Sequence, residues 1–311
     1  MEKLIKDFTD LERIKGQFLV VSVTKGVNNN NGSAYLNIEL RDSSGSINAK
    51  KWDSTPADDA LFIAGNVVYV EGDTNKYKDA LQLKILCASP VEIDDIDTSK
   101  FLKQPPVSKE SLVNKFNNYI ESIQNPELKS LVKHLVKKFG DRVYTHPAAV
   151  SIHHEYSSGL IMHTTSMADL AEFLVPIYDL DRDMLIAGVL LHDLGKCIEF
   201  EGSAVYHYSL EGKLLGHISI MVSEIKRAAI ELNIQSEIPL LLEHMVLSHH
   251  DKPEYGSPVP PLTKEAMALT LIDNLDSKLV IVNKALEQVE PGTFTGKIFA
   301  LDNRLFYNPK K

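Results

Sequence analysis

Hydrophobic positions recur every second residue in the first third of the chain and every third or fourth residue after it. From about Ile14 to Glu92 the texture is that of short strands. Gln17 to Val23 is rich in β-branched and aromatic residues, and Ala34 to Leu40 alternates apolar with polar side chains. Arg41-Asp42-Ser43-Ser44-Gly45 has turn chemistry, and Ser46 to Lys50, Asn66 to Glu71 and Ala80 to Leu86 supply three more strands. Five short strands separated by turn clusters predict a small barrel. Asp94 to Ser108 reads as a connector. It opens on the acidic group Asp94, Asp95 and Asp97 and holds Pro105-Pro106, which resists both helix and central strand. Ser108, with Ser111 before Leu112, is placed to start a helix.

Beyond that point the period becomes helical. Leu128, Leu131, Val132 and Leu135 share one face, as do Leu160, Ile161, Thr164, Met167, Ala168 and Ala171. Leu185 to Leu194 is apolar all round and predicts a buried helix. Leu214 to Leu232, Ile238 to Leu247 and Ala266 to Leu279 complete the set. The expected architecture is multidomain: a small all-β barrel over residues 1–95, a linker over 96–108 and an all-α domain over 109–311. No internal repeat is visible, and Asn28 to Asn31 reads as a loop.

Composition narrows the classes. With 311 residues, 44% of them hydrophobic, the chain can fill two cores. No apolar run approaches the roughly 20 residues needed to cross a bilayer, so no membrane partner is expected. The start, Met1-Glu2-Lys3-Leu4, lacks the charged-then-apolar layout of a signal segment. Cys87 and Cys197 are far apart and outside any CxxC pattern, which favours a reducing cytoplasm. A net charge of −9 argues against coating nucleic acid by charge alone, although a local groove stays open.

The candidate chemistry lies in the helical part. His163, His192-Asp193, His217, His249-His250 and Asp273 each fall in, or at the end of, a separate predicted helix. A single helix-borne histidine is more often a core or surface residue than a ligand. The ordered set is different, because imidazoles and carboxylates projecting inward from several helices are how bundles cage divalent cations. His192 and Asp193 differ by about 100° around a helix, so they flank a site from two directions, and Asp193 is placed to bridge two metals. Gly195 would let the backbone leave the helix, and Lys196 would then stand where a phosphate oxygen could be held.

The order His163, His192-Asp193, Asp273 resembles the HD-domain phosphohydrolases, and His217 with His249-His250 resembles their two-metal members. Tyr144 to Met167, Leu190 to Lys196, Gly212 to His217, His244 to Pro258 and Thr270 to Lys278, behind a strand-rich domain, resemble the YhaM-type 3′–5′ exoribonucleases. That resemblance implies an OB-fold domain followed by an HD domain, and release of nucleoside 5′-monophosphates from single-stranded RNA. Single-stranded DNA is a further candidate substrate and a homo-oligomer a candidate assembly. It implies two divalent ions, Mn first, with Co or Fe as alternatives. His163, His192, Asp193 and Asp273 would hold the first, and Asp193, His217, His249 and His250 would serve the second. Whether both His249 and His250 bind metal stays open.

Other residues have two readings. His153-His154-Glu155 could touch substrate phosphate or simply pack a loop. Asn274 and Asp276 are candidates to support the metal ligands from behind. His134, His146 and His207 read as structural, and Cys197 gives no sign of a nucleophile. In the strand-rich part Tyr35, Trp52 and Tyr77 could stack on bases, with Lys25, Lys50, Lys51, Lys76 and Lys78 along the backbone, or the aromatics could fill the barrel. Residues 1–100 hold 12 Lys and Arg against 16 Asp and Glu, so this domain as a whole is not a basic magnet. Two rival functions remain: a nucleotide or cyclic-nucleotide phosphohydrolase, which needs no strand-binding platform, and a non-catalytic nucleic-acid-binding protein, which needs no full ligand set.

Overall fold

The computed structural model describes residues 3–28, 32–77, 80–91, 101, 107–148, 158–202 and 206–310. Most of the expected linker, Asn29 to Asn31, Lys78 and the His153-His154-Glu155 segment lie outside them. The chain divides into two compact units, Met1–Gln104 with Gly202–His207, and Pro105–Glu201 with Tyr208–Lys311.

In the first unit, β1 (Arg13–Val27), β2 (Ala34–Asp42), β3 (Gly45–Trp52), β4 (Val67–Tyr77) and β5 (Ala80–Pro90) close into a barrel in the order β1-β2-β3-β5-β4. β3 and β5 pair in parallel and every other pair is antiparallel. This is the topology of a five-stranded OB-fold barrel. Alternation sets which side chains go inside. Leu36, Ile38 and Leu40 of β2 are buried with Phe18, Val20, Ile47, Val68, Val70, Leu83 and Ile85, while Tyr35, Asn37 and Glu39 take the other face. The strands run longer than their apolar runs predict, because main-chain pairing continues past the last core residue. One short helix, α1 (Pro56–Leu61), crosses from β3 to β4. It is capped reciprocally by Thr55 and Asp58, a pair the strand pattern did not reveal.

The second unit is helical: α2 (Lys109–Ser122), α3 (Pro126–Phe139), α4 (Arg142–Thr145), α5 (Gly159–Tyr178), α6 (Arg182–Leu191), α7 (Lys196–Glu199), α8 (Leu210–Glu231), α9 (Ile238–Ser248) and α10 (Lys264–Leu286). The short strands β6 (Phe200–Gly202) and β7 (Tyr206–Tyr208) fall between α7 and α8. Caps mark the starts: Ser108 accepts from Ser111 N, Asp181 from Met184 N, Ser209 from Gly212 N and Thr263 from Ala266 N. The core joins Phe116, Leu131, Leu135, Leu185, Val189, Met221, Ile225, Val246 and Leu269. Each such side chain contributes about 1.5–3 kcal/mol on burial, which holds the inner helices in fixed register. Among the described residues no helix is long and apolar enough to cross a membrane.

Candidate metal centre

Five imidazoles converge in the helical unit, from four places in the chain. α5 carries His163 on its buried face. α6 ends at Leu191, so His192 caps it and Asp193 to Gly195 turn the chain tightly into α7. His249 caps α9 in the same way, with His250 next to it. His217 lies in α8 just after Gly216, whose φ of 71° breaks the helix and redirects the chain. Only glycine adopts that conformation readily.

Gly195 has a different reason from the one its sequence suggested. Its φ of −57° and ψ of −23° are right-handed, so it is not a left-handed helix terminus. A Cβ there would stand 2.2 Å from the His217 carbonyl oxygen. Glycine is needed because the chain before α7 and the start of the second half of α8 touch backbone to backbone.

In every one of the five histidines Nδ1 faces an acceptor. His192 donates to Val189 O at 2.8 Å, His249 to Val246 O at 2.7 Å and His250 to Tyr255 O at 2.7 Å. His163 Nδ1 meets Asp276 Oδ2 at 2.7 Å, and His217 Nδ1 meets Glu199 Oε2 at 3.1 Å. Carbonyls and carboxylates only accept, so Nδ1 carries the proton and Nε2 turns inward as the ligand atom.

The inward atoms form two groups. His163, His192 and Asp193 offer ligand atoms within 4.8 Å of one another, and so do His217, His249 and His250. Asp193 lies between them. Its Oδ2 is 3.4 Å from His192 Nε2 and 3.8 Å from His163 Nε2. Its Oδ1 is 3.4 Å from His217 Nε2 and 4.0 Å from His249 Nε2. Asp273 also reaches both groups, with Oδ1 3.2 Å from His163 Nε2 and Oδ2 3.9 Å from His250 Nε2.

The divalent ions that the HD fold implies fit this donor set. Nε2 of His192, His217 and His249 and Oδ1 of Asp193 are buried without a hydrogen-bond partner. Each such atom costs about 1–3 kcal/mol if nothing satisfies it. Electrostatics points the same way. Burial, with His250 and His192 nearby, pushes His249 well below its ordinary value and keeps it neutral. Burial opposes charge on Asp193, yet Lys196 and His192 hold its carboxyl well below the ordinary range. Burial also opposes the cationic form of His163, but Asp273 and Asp276 outweigh it and lift the ring to about 9. A cation bound there would displace that proton.

Lys196 is paired rather than free-standing: its Nζ donates to Asp193 Oδ2 at 2.6 Å. Asp276 accepts from Ser166 as well as facing His163. Asn274 instead donates to Thr270 O at 3.0 Å on its own helix. Glu199, buried beneath His217, escaped sequence reasoning. It lies far from His217 in the chain, and no local pattern marks it. Cys197 is buried, and burial, aided by Asp193 and opposed by Arg142, pushes its thiol up to about 12. His134 meets Glu231 at 2.8 Å, and His146 is buried against Phe200 O at 3.3 Å.

On the barrel, Tyr35 and Trp52 stand opposite each other on β2 and β3, with ring centroids 5.0 Å apart. Lys50 Nζ lies 5.3 Å and 5.0 Å from the two rings. All three take the outward face. Lys51 alternates to the other face, and Tyr77 lies at the end of β4, which neighbours neither β2 nor β3.

Comparison with known proteins bears on the whole chain. The HD domain family matches residues 160–278. A 3′-5′ exoribonuclease YhaM from Geobacillus sp. (strain WCH70) is 46% identical over 311 residues, covering 99% of this chain and 96% of its own length. A 3′-5′ exoribonuclease YhaM from Bacillus velezensis is 45% identical over 300 residues, covering 96% of this chain and 95% of its own. The second OB-fold domain of replication protein A from Methanococcus maripaludis aligns at 18% identity and a TM-score of 0.25, over 30% of this chain and 96% of that one. At that score it adds nothing to the strand topology. Near-full-length identity of this degree, with an HD domain spanning the helices that carry the candidate ligands, shows that the chain belongs to the YhaM family of 3′–5′ exoribonucleases.

Proposed function

We propose that this chain is a metal-dependent exoribonuclease that removes nucleoside 5′-monophosphates from the 3′ end of single-stranded RNA, with single-stranded DNA as a second candidate substrate. The observation that carries the reading is the common orientation of five imidazoles, each Nδ1 engaged and each Nε2 turned to a centre shared by Asp193. His163, His192, Asp193 and Asp273 would hold one divalent ion; Asp193, His217, His249 and His250 would hold the other. Imidazole and carboxylate donors suit Mn, with Co or Fe as alternatives. Such ions, when bound, would supply a lowered pKa for water and charge to offset the reacting oxygens.

The chain's own groups do the rest. Asp193 turns one oxygen to each half of the site. Glu199 and Asp276 keep His217 and His163 in the correct tautomer. Burial opposes charge on Lys196, but Asp193 outweighs it and raises its pKa, so the ammonium stays charged to receive a phosphate oxygen. Tyr35, Trp52 and Lys50 offer a stacking face for bases. A reducing cytoplasm suits the free thiols Cys87 and Cys197. The reading includes a homo-oligomer, to which the exposed stripe Met267, Leu271, Leu275 and Leu279 on α10 lends a face.

The test is to incubate labelled single-stranded RNA and DNA, with free or blocked 3′ ends, with the protein and Mn, and to size the products. Stepwise shortening from free 3′ ends to monophosphates is expected. Asp193→Ala should abolish it and lower the bound metal measured on the same preparation. Hydrolysis of mononucleotides or cyclic nucleotides in place of RNA would overturn the reading.

A further inference from the structure

After α10 the chain folds into a narrow, hydrogen-bonded ribbon. Thr295 N donates to Phe306 O at 2.9 Å, Asn308 N to Thr293 O at 2.8 Å and Ile298 N to Arg304 O at 3.1 Å. Leu301 and Thr295 are buried. Asn308 Nδ2 ties the ribbon to the helix end by donating to Val289 O at 2.8 Å and Leu286 O at 3.3 Å. The backbone is thus fixed, yet three of its four aromatic side chains are exposed. Phe299 is 88% exposed, Phe294 61% and Tyr307 48%. The rings of Phe294 and Tyr307 lie 5.1 Å apart at 50° and make one paired face. Exposed Lys297, Arg304 and Lys310 are interleaved with them. The single acid of the ribbon is Asp302, 3.5 Å from Arg304.

Two partners could cover exposed aromatics, and charge separates them. The core of a protein interface is enriched in aromatics and arginine but depleted in lysine, and the ribbon carries two exposed lysines. A single strand of nucleic acid needs what is present here: flat π faces for bases and cations for the backbone. The ribbon is basic while the chain carries −9 overall. We propose that the ribbon of residues 292–310 is a second contact for single-stranded RNA, on the unit that carries the metal centre. The proposal rests on the exoribonuclease reading and adds a length requirement. From Asp273 to Leu286 along α10 is on the order of 20 Å. The end of α10 that anchors the ribbon thus lies beyond the reach of a dinucleotide held at the metal centre, and a long strand can reach it.

The test uses the full chain with Mn. Affinity for long RNA with a blocked 3′ end is measured by fluorescence anisotropy across a salt series. Hydrolysis of a dinucleotide is measured in parallel. Phe299→Ala should weaken long-RNA binding about tenfold. Lys297→Glu should weaken it and flatten its salt dependence. Both variants should hydrolyse the dinucleotide at the wild-type rate, since neither residue touches the metal ligands. Unchanged long-RNA affinity in both variants overturns the ribbon proposal alone. If the variants instead alter the sedimentation of the protein and leave RNA affinity intact, the ribbon is a protein interface and the proposal is again overturned. Failure of the wild type to bind or shorten RNA would remove the exoribonuclease reading, and the ribbon proposal with it.

Discussion

At the scale of single residues, the proposed function separates groups that would hold a cation from groups that would act on the substrate. Lys196 belongs to the second kind. It sits beside the candidate ligands, donating to Asp193, and a protonated amine does not coordinate metal. Lys196→Ala should leave bound metal near the wild-type level and lower kcat by something like 10²–10³-fold, the usual cost of removing one donor to a developing anion. Kinetics on a short RNA, with metal content determined on the same sample, checks this; wild-type kcat would leave Lys196 as a partner of Asp193 only. Glu199 belongs to the first kind, one step removed. It fixes His217 through Nδ1 and also accepts from the His217 main-chain N at 3.0 Å. Glu199→Gln can present its amide nitrogen to Nδ1 and favour the wrong tautomer. Affinity for one of two metal equivalents should fall about 10–100-fold, read by titration, while the other equivalent stays in place.

The next scale is that of elements, where the ligands depend on how helices end. His192 and His249 both cap a helix, and both donate Nδ1 to a carbonyl three residues back. The apolar run Leu185 to Leu191 of α6 and the buried face Leu242, Met245 and Val246 of α9 therefore do two things: they bury the helix, and they aim the residue after it. The loop before α7 and the restart of α8 after Gly216 come within van der Waals distance at Gly195. Gly195→Ala must push these elements apart. A loss of about 1–3 kcal/mol is expected, as for other overpacked sites. Thermal unfolding should show it, together with weakened binding of the metal that His217 serves and an unaltered His163 group. Stability and metal content equal to the wild type would show that the close approach relaxes without consequence.

For the molecule as a whole, the proposed reading gives strand contact to one unit and chemistry to the other. The barrel presents Tyr35, Trp52 and Lys50 on its outward face, and the helical unit holds the ligand set. Trp52→Ala should raise KM for long RNA by about tenfold, the value of one base stack, and leave kcat on a dinucleotide unchanged. A wild-type KM would assign the barrel a role in assembly rather than substrate binding. Because the overall charge is −9, contacts with RNA have to be local, and the expected salt dependence is correspondingly modest.

The residue order alone determined the barrel, the switch to helices and the segments that carry the candidate ligands. Those features are periodic or contiguous in sequence: Leu36, Ile38 and Leu40 alternate, Leu131 and Leu135 lie one turn apart, and His192-Asp193 is a dipeptide. The sequence also led to the HD family, since the ligands keep their order along the chain. What tertiary structure decided is everything that depends on distance between remote segments. Glu199 finds His217, Asp276 rather than its neighbour Asn274 faces His163, and Gly195 is small because the His217 carbonyl passes over it. The basic aromatic ribbon is likewise invisible before folding, because the sequence does not show that Phe299 stays outside the core. Local pattern records which face of an element is apolar; only packing fixes what that face, and the polar atoms beside it, will meet.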